Sequence, residues 1–113
     1  MSDCLFCKIV EGKIPAKKIY EDEKSLAFRD INPQAPVHFL VIPKKHIPTL
    51  LEASEEPELI GYLAQVIKKV AAQEGLDGEG FRSVVNVKEQ GGQTVYHLHF
   101  HVLGGRFMKW PPG

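Results

Sequence analysis

The chain has 113 residues, 43% hydrophobic and 25% charged, the balance of one ordinary globular domain spanning 1–113 rather than of a disordered or fibrous chain. Basic and acidic side chains number 14 each, so no basic excess points to duplex nucleic acid as a partner. No apolar run approaches the roughly 20 residues that a membrane helix needs, and residues 1–8 lack the basic stretch and long apolar run of a secretory leader, so the cytoplasm is the expected location.

In chain order, residues 3–11 can form a short helix carrying the only cysteines, Cys4 and Cys7. A disulfide across so short a loop would constrain little; in a reducing compartment the spacing suits a metal or a redox role better. Residues 18–21 and 25–29 read as two strands around an acidic turn, and 30–33 as a further turn. The largely apolar run 37–42, stopped by Pro43, predicts a strand buried on both faces. Leu59, Leu63, Val66, Ile67, Val70 and Ala71 recur at helical spacing, predicting a long helix over 55–74 with Ser54 as N-cap and Gly75 as stop. Residues 81–86 should be a strand, 90–93 a loop and 95–103 the last strand, ended by Gly104 and Gly105. The pattern is mixed α and β.

On that last strand side chains alternate faces. His97, His99 and His101 therefore share one face, and Leu98, Phe100 and Val102 share the other. The apolar side can pack on the helix stripe, which leaves three imidazoles to meet solvent, a ligand or a metal. Two chemistries fit the spacing. The histidines could hold a catalytic zinc with an open position, or one neutral imidazole, with a pKa near 6.5, could attack phosphorus directly. The spacing alone does not separate them. Upstream, the Gly91-Gly92-Gln93-Thr94 loop could be a hairpin turn. Beside the histidines it reads better as a phosphate nest, with Gln93 and Thr94 adding neutral donors. The P-loop and dinucleotide glycine patterns are absent from the sequence.

The run His97-Leu98-His99-Phe100-His101-Val102-Leu103 resembles the histidine triad signature. The likeness extends through Ile14-Pro15-Ala16, residues 30–36 and 38–46, Gly91-Gly92-Gln93 and the ending Trp110-Pro111-Pro112-Gly113. It is closest to the Hint branch, the histidine triad nucleotide-binding proteins. The resemblance implies an α+β, HIT-like fold: an antiparallel five-stranded sheet, one main helix and a short N-terminal helix, with two protomers joined in a dimer and the tail 104–113 at the interface. It also implies a purine nucleoside phosphoramidase acting on AMP- or GMP-type phosphoramidates, with no cofactor required for the chemistry.

By that resemblance, His99 is the nucleophile that forms a nucleotidyl intermediate. His101 and the Gly92-Gln93-Thr94 loop hold the phosphate, His38 orients the triad and Asn86 contacts phosphate or ribose. Asp30 accepts from the ribose hydroxyls, and Phe6, Ile9, Phe28 and Ile31 line a purine slot. By their own pattern these four apolar residues read as ordinary core, and only the resemblance makes them a slot. Thr94 stands where many relatives carry serine, keeping a hydroxyl near the leaving group. Elsewhere in the superfamily a structural zinc is held at the positions of Cys4, Cys7, His46 and His97, and all four residue types are present here. A nucleotide-binding scaffold or regulatory dimer without catalysis is the alternative reading.

Overall fold

The computed structural model describes residues 3–113; Met1 and Ser2, part of the segment read as lacking a leader, lie outside the described residues. In chain order the elements are α1 (Leu5–Val10), β1 (Lys18–Glu21), β2 (Ser25–Arg29), β3 (Val37–Pro43), α2 (Leu50–Ala53), α3 (Pro57–Gln73), β4 (Arg82–Val84), α4 (Lys88–Gly91) and β5 (Phe100–Gly104). The strands form one antiparallel sheet in the order β1-β2-β3-β5-β4. This is the expected α+β arrangement.

The sheet is covered on both faces. Ala27, Phe39, Val41 and Val102 pack against Leu63, Val66, Ile67, Val70 and Ala71 of α3. Leu26, Phe28, Leu40 and Ile42, the alternate residues of β2 and β3, pack against Phe6 and Ile9 of α1. That double cover is why β3, apart from His38, is apolar on both sides, as its largely apolar run predicts. Each fully buried aliphatic side chain in these layers contributes about 1.5–3 kcal/mol. At the β1–β2 turn, Asp22 accepts the backbone N–H groups of Lys24 at 2.9 Å and Ser25 at 2.8 Å. It also accepts the hydroxyls of Tyr20 and Tyr62, which ties the hairpin to α3.

Local details depart from expectation. Ser54 does not cap the long helix: it closes α2, and α3 starts at Pro57 in the first turn with no side-chain cap. The short α2 is an unexpected element. Its signal, Thr49-x-x-Glu52, is a capping box, in which Thr49 Oγ1 accepts from Leu51 N–H and Glu52 Oε1 accepts from Thr49 N–H. Gly75, at φ +76°, does end α3, with Leu76 N–H bonded to Ala71 O and Gly75 N–H to Ala72 O. The strand expected over 81–86 shrinks to β4, and part of the loop expected at 90–93 is the helical turn α4. The strand expected from Val95 begins only at Phe100, because Leu98 N–H turns away to bond Ile47 O at 2.6 Å. Among the described residues no helix is long and apolar enough to cross a membrane.

Candidate active site and metal centre

The expected alternation survives even though only His101 of the three histidines lies within a strand. Leu98, Phe100 and Val102 face the α3 layer. His97 and His99 turn to the opposite side, where the Phe6 ring meets them edge-on at 5.9 and 5.0 Å between centroids. The three imidazoles then part company, and backbone carbonyls and N–H groups fix which nitrogen of each ring carries its proton.

His97 is fully buried. Its Nε2 lies 2.8 Å from Pro43 O, so Nε2–H donates there and Nδ1 keeps the lone pair. That Nδ1 sits 3.4 Å from Cys4 Sγ and 3.6 Å from Cys7 Sγ, while His46 Nδ1 sits 3.3 Å from Cys7 Sγ. All four donor atoms lie within 4.8 Å of one another. With zinc–sulfur bonds of about 2.3 Å and zinc–nitrogen bonds of about 2.0–2.1 Å, a tetrahedral site has N···S edges of about 3.6 Å. The donor set and its spacing therefore fit one tetrahedral zinc. Burial pushes the Cys7 thiol up and pushes His97 down to about 4. A cation among these groups would turn the thiols into thiolates.

His99 is 8% exposed. Its Nδ1–H donates to His97 O at 2.7 Å, which leaves Nε2 as the lone-pair atom. Burial lowers its pKa, so the lone pair is free at neutral pH.

His38, also buried, accepts Gln34 N–H on Nδ1 at 3.0 Å. Its proton is therefore on Nε2, which faces His101 Nδ1 at 3.0 Å and Asp30 Oδ2 at 3.4 Å. His101 Nδ1 accepts, which places the proton of His101 on Nε2 as a hydrogen-bond donor. Burial, reinforced by His99 and His38, pushes His101 down to about 4. Asp30, His38 and His101 also lie close enough to suggest a second metal group. The ring of His38 argues against it, because Gln34 N–H takes one nitrogen and the proton takes the other.

His99 and His101 line a cleft of about 450 Å³. Phe6, Ile9, Phe28 and Leu40 form its apolar floor, with Phe6 edge-on to Phe28 at 5.5 Å. Asp30, Ile31, Asn86, Gly92 and Thr94 stand around it. Phe6, Ile9 and Phe28 are both core and cleft wall, whereas Ile31 is wholly exposed at the lip. Asp30 Oδ1 already accepts Asn32 N–H at 2.8 Å, and a carboxylate has lone pairs to spare for ribose hydroxyls. Ile14, Ala16, Leu40 and Val95 wall the cleft as well, and nothing in their sequence pattern separates them from core.

Gln93 departs from expectation. Its amide does not point donors at a ligand; it is buried and bonded to Lys88 N, Pro48 O and Val95 O. Nor do Gly92 and Gln93 offer a free backbone nest, since their N–H groups bond Glu89 O and Lys88 O.

The family model described as the HIT domain matches residues 11–108. The chain is 58% identical over 112 residues to an uncharacterized HIT-like protein of Synechococcus elongatus, covering 98% of this chain and 97% of that one. It is 56% identical over 115 residues to a 14 kDa zinc-binding protein of Zea mays, covering 99% and 89%. Among solved structures, a HIT family hydrolase from Legionella pneumophila superposes with a TM-score of 0.95 at 54% identity, covering 98% of this chain and all of that one. A histidine triad nucleotide-binding protein from Candida albicans superposes at 0.83 with 34% identity, covering 96% and 83%.

The proton positions can be measured. Ring nitrogen-15 NMR at neutral pH is expected to find His99 protonated on Nδ1, and His38 and His101 on Nε2. The reverse tautomer at His99 would leave its Nε2 without a free lone pair.

Proposed function

Because the chain belongs to the HIT family, we propose that it is a nucleotide-binding hydrolase of the Hint kind, cleaving the P–N bond of purine nucleoside 5'-phosphoramidates through a nucleotidyl-His99 intermediate. The observation that carries this reading is the bond from His99 Nδ1–H to His97 O, which holds Nε2 unprotonated beside an apolar slot. The purine lies between Phe6, Ile9, Phe28 and Ile31, and Asp30 accepts from the ribose hydroxyls. His99 Nε2 attacks the α-phosphorus as the P–N bond breaks, and the amine leaves with a proton, Thr94 serving as hydroxyl donor on that side. His101 Nε2–H donates to a phosphate oxygen as its charge grows, with Asn86 and the Gly92–Thr94 loop at the same end. Water then attacks phosphorus and releases a proton to solvent, the P–N bond to His99 breaks with its electron pair returning to Nε2, and the nucleoside monophosphate departs.

The same reading puts one structural zinc on Cys4, Cys7, His46 and His97, their thiols kept reduced by the cytoplasm. Bound there, zinc would cross-link α1, the His46 turn and the His97 segment. No step of the hydrolysis passes through it. The second copy in a Hint-type dimer would pair along the β4 edge. In the single chain that edge ends the sheet, Trp110 is 80% exposed and Phe107 98% exposed.

Adduct, metal and sedimentation experiments test this. After rapid quench with adenosine 5'-phosphoramidate, intact-protein mass spectrometry should find a nucleotidyl adduct mapping to His99. The substitution His99→Asn should then lower kcat by about 10³-fold or more. Full turnover with no adduct sinks the covalent route, and retained AMP binding without any hydrolysis supports the scaffold reading. Metal analysis should find zinc that Cys7→Ser removes, and chelation should lower the melting temperature while the folded fraction still hydrolyses substrate. Prompt loss of chemistry in a folded protein would instead make the metal catalytic. Sedimentation at micromolar concentration should show a dimer, and a stable monomer would refute the paired edge.

A further inference from the structure

We propose that Gln93 is a positioning residue for the phosphate end of the cleft. It clamps the loop from Asn86 to Thr94 onto the turn that follows His46. The proposal deepens, and rests on, the reading of the cleft as a nucleotide site.

Gln93 is 6% exposed although its neighbours Gly92 and Thr94 are exposed. A buried primary amide must find partners. Oε1 accepts Lys88 N–H at 2.9 Å, and Nε2 donates to Pro48 O at 2.8 Å and Val95 O at 3.2 Å. The backbone N–H of Gln93 bonds Lys88 O at 3.0 Å, so both polar backbone groups of Lys88 close on one residue. Among the described residues Lys88 is the one non-glycine with positive φ, at 60°. A lysine persists in that region only where its surroundings over-determine it.

The bond to Pro48 supplies the direction. Pro48 follows Ile47, whose carbonyl accepts Leu98 N–H at 2.6 Å. Two anchors on one turn, from Gln93 and from Leu98, thus bracket Thr94 and Val95 at the cleft wall. His99 comes directly after the second anchor. The distance from the loop to the nucleophile is set by that pair of bonds. The purine slot is built mainly on α1, β2 and β3, and only Val95 reaches it from the clamped segment.

Loosening the clamp should therefore misalign the loop against phosphorus and leave base binding nearly intact. The test compares wild type with Gln93→Met, which keeps the length and loses every amide bond. A second variant, Gln93→Glu, keeps an acceptor for Lys88 and loses the donors to Pro48 and Val95. Kinetics with adenosine 5'-phosphoramidate, AMP affinity and amide hydrogen exchange are measured on each.

For Gln93→Met, kcat is expected to fall about 10- to 100-fold with KM and AMP affinity within about threefold. Exchange should quicken at Lys88 and Gln93 and stay slow at Leu98. Lys88→Gly alone should keep kcat near wild type. Placed in the Gln93→Met background it should restore part of the loss, because glycine holds positive φ unaided.

Unchanged kcat with unchanged exchange at Lys88 would overturn the clamp. So would a collapse in AMP affinity with unchanged exchange, which would make Gln93 a ligand contact. If Gln93→Met fails to fold, the Gln93→Glu variant decides through the same split. If wild type hydrolyses nothing, the enzymatic reading falls, while exchange at Lys88 and its coupling to Lys88→Gly still decide the clamp.

Discussion

The hydrogen bond on which the site depends joins His99 Nδ1–H to the main-chain carbonyl of His97. It sets the tautomer of His99 and aims its ring with one contact. The residue that supplies the carbonyl is itself held twice, by Pro43 O on one ring nitrogen and by the Cys4–Cys7–His46 cluster facing the other. A helix N-cap, a β3 end and a turn thus converge on the residue two before the lone pair. Loosening any of them would be felt at His99, because interiors packed to crystal-like density transmit strain.

Burial governs the electrostatics. Imidazoles crowded near one another would repel if charged, and desolvation pushes His97 and His101 down to about 4. At neutral pH the rings act as neutral donors and acceptors in a fixed sequence: Gln34 N–H to His38, His38 to His101, His101 outward. A phosphate entering the cleft would meet the His101 Nε2–H already oriented, so little reorganisation of that donor would be needed as charge develops. Asp30, beside His38, adds a carboxylate that can accept from a sugar without becoming part of a metal site.

The cleft wall and the core are the same residues. Phe6, Ile9 and Phe28 hold α1 to the sheet and also floor the cleft. Their apolar spacing in the chain is that of core, so the sequence pattern could not separate the two roles. The triad differed because alternation on an extended segment fixes a common side before any fold is known. Its apolar partners Leu98, Phe100 and Val102 went to the α3 layer as that alternation required. The twofold-buried β3 was legible for a similar reason, since the consecutive apolar residues Phe39 to Ile42 can be satisfied only by cover on both faces.

What remained hidden depended on contacts distant in the chain. Glutamine in a glycine loop carries the chemistry of a ligand donor, and only the approach of Pro48 turns Gln93 into a clamp. The strand expected from Val95 starts late because Ile47, about fifty residues upstream, captures Leu98 N–H. By itself the sequence determined the mixed fold and the common side of three histidines, since periodicity and residue chemistry are local properties; the donor set Cys4, Cys7, His46 and His97 spans the chain and came only through the family resemblance. The tertiary structure decided how those histidines divide: His97 toward the thiols, His99 with a free lone pair, and His101 with a proton to donate. A ring's tautomer is set by whichever backbone group folding brings to its other nitrogen.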